Sequence, residues 1–136
     1  MDYVSMIKDC GLKATPQRIC ILKILANHKH PTMDELYEQI RKNYSTVSLA
    51  TVYKNISVLI DKGIVVEVNA PNQKVKFDIF EHHHMHIVCE KCGAVRDVDF
   101  DGKLLDKFQE AFDRKIGNIT KRFNVVATTE DCELCR

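Results

Sequence analysis

Six potential metal ligands, His82, His83, His84, His86, Cys89 and Cys92, fall within the short stretch from Glu81 to Gly93. Imidazole suits iron, zinc, manganese and copper, whereas a Cys-x-x-Cys pair of thiolates is the usual half of a closed tetrahedral zinc site. Two kinds of ligand therefore suggest two sites. The apolar pair Ile87-Val88 reads as a short strand running into a turn, so His84 and His86 share one face and can bind the same ion. The other half of the thiolate set is Cys132-x-x-Cys135, near the far end of the chain. Four thiolates satisfy zinc and leave no open position, which makes Cys89, Cys92, Cys132 and Cys135 a structural zinc site. The 39 residues between Cys92 and Cys132 exceed the usual gap of a zinc ribbon, so the second pair must return to the first in space. The competing reading is two unrelated buried or redox pairs.

The histidines are less specific, since His82-His83-His84 also fits a solvated turn. Asp78 before the cluster and Asp97 after it lie on strand-like runs that flank it, and His30 is a further ligand candidate from the N-terminal half. Read alone, His30 is more simply a residue of the His-Pro step that opens a helix. Two or three imidazoles with two carboxylates make a harder, more open site than four thiolates, suited to ferrous iron or manganese.

The elements that must position these groups follow from spacing. Tyr3, Met6, Ile7 and Cys10 mark a short amphipathic helix stopped by Gly11, with Lys13 in the connection after it. Thr15-Pro16 opens a second helix with Ile19, Ile21, Leu22, Ile24 and Leu25, ending near Asn27-His28. Thr32 and Glu35 form a capping box for a third, which turns Met33, Leu36, Tyr37 and Ile40 inward. Ser48 caps a fourth that runs to about Lys62 and ends at Gly63. Its wheel gathers Leu49, Val52, Ile56, Leu59 and Ile60 on one face, sets Ala50, Thr51 and Lys54 opposite, and leaves Tyr53 and Ser57 on the flank.

Ile64 to Val68 and Val75 to Phe80 are β-rich runs joined by a polar tip, a hairpin. Helices followed by a hairpin is the order of a winged helix-turn-helix, whose helix before the hairpin enters the major groove. Without the hairpin, Thr51, Tyr53 and Lys54 would read as a plain solvated flank, and Lys13 as surface charge. Past the ligand cluster, Val95 to Phe100 predicts a strand, Leu104 to Lys115 a helix with Leu104, Leu105, Phe108 and Phe112 on one side, and Ile119 to Thr129 another strand. The expected fold is α+β, with a winged helix-turn-helix over 1–80 and a small α/β domain over 81–136. Cys10 and Cys20, at helical spacing, are core thiols first.

With 136 residues and 45% hydrophobic content the chain can bury real cores, and no run approaches the roughly 20 apolar residues of a membrane span. Asp2 and Asp9 make the N-terminus unlike a signal peptide, which leads to the expectation of a cytoplasmic protein without membrane contact. In that reducing compartment paired cysteines are ligands rather than disulfides. Residues 1–74 hold ten Lys and Arg against seven Asp and Glu, while residues 75–136 hold ten against twelve. The positive balance of the first part permits nucleic-acid contact without requiring it.

These residues together resemble the ferric uptake regulator superfamily along essentially the whole chain. The resemblance is carried by Leu12-Lys13-Ala14-Thr15-Pro16-Gln17-Arg18, His30-Pro31-Thr32, Ser48-Leu49-Ala50-Thr51-Val52-Tyr53-Lys54-Asn55, His84-Met85-His86-Ile87-Val88-Cys89-Glu90-Lys91-Cys92-Gly93 and Cys132-Glu133-Leu134-Cys135. It implies a homodimeric, metal-dependent regulator, usually a repressor, that binds a palindromic DNA operator and needs no organic cofactor. It also implies that Cys89, Cys92, Cys132 and Cys135 hold zinc, and that His30, Asp78, His84, His86 and Asp97 form a regulatory ferrous iron or manganese site. Lys13 matches a minor-groove basic residue; Tyr53 and Lys54 match positions facing bases and phosphates, on a helix whose Ser48, Ala50 and Thr51 complete the DNA-facing set.

Aspartate at both Asp78 and Asp97 is similar to the peroxide-sensing branch, where iron sensors commonly place glutamate. Met85 and Asn124 stand where an acid and a histidine would help build an additional site of iron-uptake members. In the peroxide branch the implied chemistry is reaction of ferrous iron with hydrogen peroxide, oxidation of a ligand histidine (His30 or His84), loss of the metal and release of DNA. Iron or zinc uptake control is the alternative within the superfamily. From other classes, a small metallohydrolase built on His84, His86 and Asp78 would leave the helix-and-hairpin half without a job, and a zinc-stabilised interaction adaptor would bind no palindromic duplex. A regulator rather than an enzyme is the expectation.

Overall fold

A computed structural model of the chain describes residues 2–80, 84–99, 102–120 and 123–136. The fold is α+β: four helices and a two-stranded hairpin, then two strands, a helix and a last strand. It divides into two compact units, Met1–Asn69 with Lys74–Glu81, and Ala70–Gln73 with His82–Arg136. No described helix is long and apolar enough to cross a membrane.

In the first unit each helix begins on a side-chain cap. Asp2 accepts from the Ser5 amide at 3.0 Å ahead of α1 (Tyr3–Asp9), and Thr15 accepts from the Arg18 amide at 3.3 Å ahead of α2 (Pro16–Leu25), with Pro16 where its missing N–H costs nothing. Ahead of α3 (Met33–Arg41) the box is complete. The Thr32 hydroxyl accepts from the Glu35 amide at 3.3 Å, and the Glu35 carboxylate accepts from the Thr32 amide at 3.2 Å. Thr32→Ala is expected to cost about 1 kcal/mol of stability, measurable by urea unfolding as a lower midpoint at unchanged slope.

Ser48 caps α4 (Leu49–Asp61) through the Thr51 amide at 3.1 Å. The helices close on one core of Ile7, Ile21, Leu22, Leu25, Leu36, Ile40, Val52, Ile56 and Leu59, joined by Val65 and Ile79 from the hairpin. Each of these large side chains, fully buried, contributes about 1.5–3 kcal/mol. Leu49 departs from its predicted face and is exposed, standing at the first residue of α4.

The hairpin pairs β1 (Val65–Val68) with β2 (Lys76–Ile79), antiparallel, with Val66 opposite Asp78. The Phe77 amide donates to the Pro31 carbonyl at 2.9 Å and Thr32 bridges to Lys76, so the segment before α3 is stitched to β2. That stitch sets the loop carrying His28 and His30 beside Asp78.

In the second unit β3 (His84–Cys89) is central, antiparallel to β4 (Val95–Asp99) and parallel to β5 (Val126–Thr129). Residue His86 lies opposite Asp97, and Cys89 opposite Thr129. His82 and His83 lie outside the described residues. The helix α5 (Gly102–Ile116) buries Leu105 but leaves Phe108 and Phe112 of its predicted apolar face exposed, with Ile116 one turn further on also exposed; the Leu104 side chain lies outside the described residues.

The last strand is shorter than the run from Ile119 suggests. Asp113 on α5 accepts from the Thr120 amide at 3.0 Å and from its hydroxyl, Gln109 donates to the Thr120 carbonyl at 3.1 Å, and Asn118 accepts from the Ile119 amide at 2.9 Å. Side chains have taken backbone bonds of Ile119 and Thr120 that a strand would give to a neighbour; residues 121–122 lie outside the described residues, and the described strand pairing runs from Val126 to Thr129.

Candidate metal centres and nucleic-acid face

The thiolate cluster is built by the sheet. Parallel pairing of β5 with β3 carries the chain end alongside the turn after Cys89, and the Glu90 amide donates to the Thr129 carbonyl at 2.8 Å. That turn closes through the Gly93 amide on the Cys89 carbonyl at 2.8 Å, with Gly93 at φ 77°, a conformation glycine adopts without strain. Cys89, Cys92, Cys132 and Cys135 then gather with all four sulfurs within 4.8 Å of one another.

Their Sγ separations are 3.6 Å for Cys89 and Cys135, 3.5 Å for Cys92 and Cys132, and 3.7 Å for Cys132 and Cys135. A disulfide needs about 2.05 Å, which excludes one. Four sulfurs at about 2.3 Å from a tetrahedral zinc stand about 3.8 Å apart, so the cluster fits that ion. Acidity within it is uneven. The Cys92 amide, donating to Cys89 Sγ, holds the Cys89 thiol down at about 7. At Cys135 the backbone of Cys132 pulls downward, but burial and the neighbouring thiols outweigh it and push the thiol up to about 12. The Cys89 thiolate is thus available near neutrality, whereas zinc must displace the proton of Cys135.

The histidine and carboxylate candidates fall in both units. In the first, His30 Nε2 stands 3.5 Å from Asp78 Oδ2, both side chains buried. In the second, His86 Nε2 stands 3.3 Å from Asp97 Oδ1, with His86 only 1% exposed. Both separations are longer than the roughly 2.7–2.9 Å of a charged hydrogen bond between an imidazole and a carboxylate. They stand near the separation of two ligands of one ion, which at about 2.1 Å from the metal and 90–110° apart lie roughly 3.0–3.4 Å from each other. His84 belongs to the same strand as His86, two residues before it.

On the first unit α4 presents Ser48, Ala50, Thr51, Tyr53 and Lys54 to solvent, small and polar residues with one aromatic and one cation. Lys13 is exposed in the loop between α1 and α2. Arg18 ties the two together, donating from Nε to Asn55 Oδ1 at 3.1 Å and from Nη1 to the Lys13 carbonyl at 2.9 Å.

The sequence model of the Ferric uptake regulator family matches residues 9–127. The chain belongs to this family. It is 36% identical over 135 residues to the peroxide-responsive repressor PerR of Staphylococcus saprophyticus, spanning 97% of this chain and 90% of that protein. Among solved structures it is similar to the Campylobacter jejuni peroxide stress regulator, with a TM-score of 0.83 and 48% identity over 99% of this chain and 100% of that one. The Vibrio cholerae ferric uptake regulator is more distant, with a TM-score of 0.68 and 29% identity over 96% of this chain and 100% of that one.

Two residues of this ferric uptake regulator family chain have roles that spacing does not announce. Arg18 reads from sequence as one residue of a motif, yet it braces the proposed DNA-facing elements. His28, with its Nδ1 3.1 Å from Asp78 Oδ1, was signalled only by the His-x-His pattern ahead of Pro31.

Proposed function

We propose that this chain is a metal-dependent DNA-binding repressor that senses peroxide stress, acting in the cytoplasm as a homodimer on palindromic duplex DNA. The observation that carries the reading is the pair of imidazole and aspartate contacts, His30 with Asp78 and His86 with Asp97, at the spacing of co-ligands. With His84 they would form one regulatory site for ferrous iron or manganese, apart from the structural zinc of Cys89, Cys92, Cys132 and Cys135. Two aspartates, and the 48% identity to a peroxide stress regulator, favour peroxide sensing over the iron-responsive alternative.

In this reading residues 1–80 bind DNA and 81–136 dimerise. Ala50, Thr51, Tyr53 and Lys54 on α4, with its cap Ser48, face the major groove, and Lys13 reaches the minor groove. Exposed Phe108, Phe112 and Ile116 offer a second copy an apolar face. Because His30 and Asp78 come from the first unit and His84, His86 and Asp97 from the second, their joint ligation would fix the two recognition helices of a dimer at one spacing. The equilibrium then moves toward the DNA-competent form. Bound ferrous iron would supply the reaction with peroxide. Oxidation of the His30 or His84 ring withdraws a donor from the set, and the clamp opens.

A gel-shift series tests the switch. With manganese or ferrous iron the zinc-loaded protein is expected to bind a two-fold operator about 10- to 100-fold more tightly than with a chelator that spares the zinc. Equal affinity across the series would remove the metal switch.

A further inference from the structure

We infer that His28 is a positioning residue for the regulatory site: its ring holds the Asp78 carboxylate in one rotation by donating to Oδ1, which leaves Oδ2 turned toward the ion beside His30. The inference rests on reading His30 and Asp78 as ligands.

Asp78 is fully buried on β2, and its two oxygens have different surroundings. The first, Oδ1, receives the Ile79 amide at 2.9 Å and His28 Nδ1 at 3.1 Å. An ionised carboxylate only accepts, so Nδ1 of His28 carries the hydrogen of that bond. The second, Oδ2, faces His30 Nε2 at 3.5 Å. The two histidines therefore take opposite oxygens of one carboxylate: His28 is hydrogen-bonded to Oδ1 at 3.1 Å, and His30 Nε2 faces Oδ2 at 3.5 Å.

Exposure divides them the same way. His28 is 30% exposed and His30 5%, which places the first at the rim of the site and the second inside it. The backbone is committed to this arrangement. His28 at φ 55° and His30 at φ 51° both occupy the left-handed region, which residues other than glycine keep only where their surroundings impose it. With Pro31 bonded to β2 through the Phe77 amide, the turn delivers both rings to Asp78. A carboxylate so held meets the ion without first giving up its rotational freedom. Partners of this kind are typically worth about 10- to 100-fold in metal affinity.

The test is manganese binding to the full-length, zinc-loaded protein, read from the electron paramagnetic resonance of free manganese. His28→Gly removes the donor and tolerates the left-handed backbone. His28→Asn tolerates it too and carries an amide donor near the position of Nδ1. His28→Gly is expected to weaken manganese binding about 10- to 100-fold while the thermal midpoint of the manganese-free protein stays close to wild type, and His28→Asn is expected to restore most of the affinity. His28→Ala gives the same donor loss should the glycine variant fail to fold. Wild-type affinity in the donor-less variant overturns the positioning role. So does an asparagine variant as weak as the glycine one, since the ring itself would then be the ligand. Asp78→Ala separates this from the underlying reading: if it binds manganese like wild type, or if wild type binds none beyond the zinc site, the ligand assignment fails and the role of His28 with it.

Discussion

Cys89→Ser is expected to cost the chain its zinc and the fold of its second unit together. The buried apolar residues are unevenly shared. Fifteen form the core of the first unit, whereas among the described residues of the second only Val88, Cys89 and Leu105 are buried apolar side chains. Its sheet holds β5 by four paired positions. Packing on that scale does not stabilise an independent unit, whereas a structural zinc contributes about 10–16 kcal/mol of apparent binding free energy to the folded state. A serine hydroxyl keeps its proton at neutral pH and does not replace the thiolate. Native mass spectrometry should show one zinc lost per chain, and hydrogen exchange should show protection lost in β3, β4 and β5 but kept in α2 to α4. Cys10→Ser, a cysteine of the first unit away from the cluster, should leave both readouts unchanged. Retention of zinc with full protection in Cys89→Ser would show that the four sulfurs are not its ligands. Zinc transfer to a chelator should also quicken as the pH falls below 7, because protons then compete for the Cys89 thiolate as well.

Local chemistry made most of this architecture legible. Thr15-Pro16, Thr32 with Glu35, and Ser48 each announce a helix start through bonds a few residues long, and the doubled Cys-x-x-Cys pairs announce their meeting because zinc needs four thiolates. What the pattern left unread depends on distant partners. The strand expected from Ile119 ends up short because Gln109 and Asp113, a turn apart on α5, capture the backbone of Thr120. The exposure of Phe108 and Phe112 is invisible to a helical wheel, which shows an apolar face but not what covers it. His28 escaped because its partner Asp78 is 50 residues away and because nothing in a loop sequence reveals a left-handed backbone at a histidine. His30 and Asp78, ligand candidates already in the sequence, gain a physical argument from the burial of both side chains and from the way His28 and His30 approach opposite oxygens of one carboxylate.

Hydrogen peroxide added to the ferrous-loaded protein is expected to abolish specific operator binding and to leave one added oxygen on His30 or His84. Both would have to occur together, since withdrawal of a ligand is what opens the clamp. Cleavage after lysine and arginine places His28 and His30 on different peptides, because Lys29 lies between them. The ligand and its positioning neighbour are therefore distinguishable by mass alone. A methionine accompanies each ligand, Met33 with His30 and Met85 with His84, and thioethers also gain one oxygen. Fragment ions must place the oxygen on the ring, and methionine sulfoxide reductase should remove any share held by sulfur without restoring DNA binding. Protein carrying zinc alone should show no ring oxidation at the same peroxide dose. If DNA release instead follows oxidation of Cys89, Cys92, Cys132 or Cys135 with zinc expelled and both rings intact, the thiolate cluster is the sensor. The uneven acidity within it, with Cys89 near 7 and Cys135 near 12, would then place Cys89 ahead of Cys135 in the order of reaction.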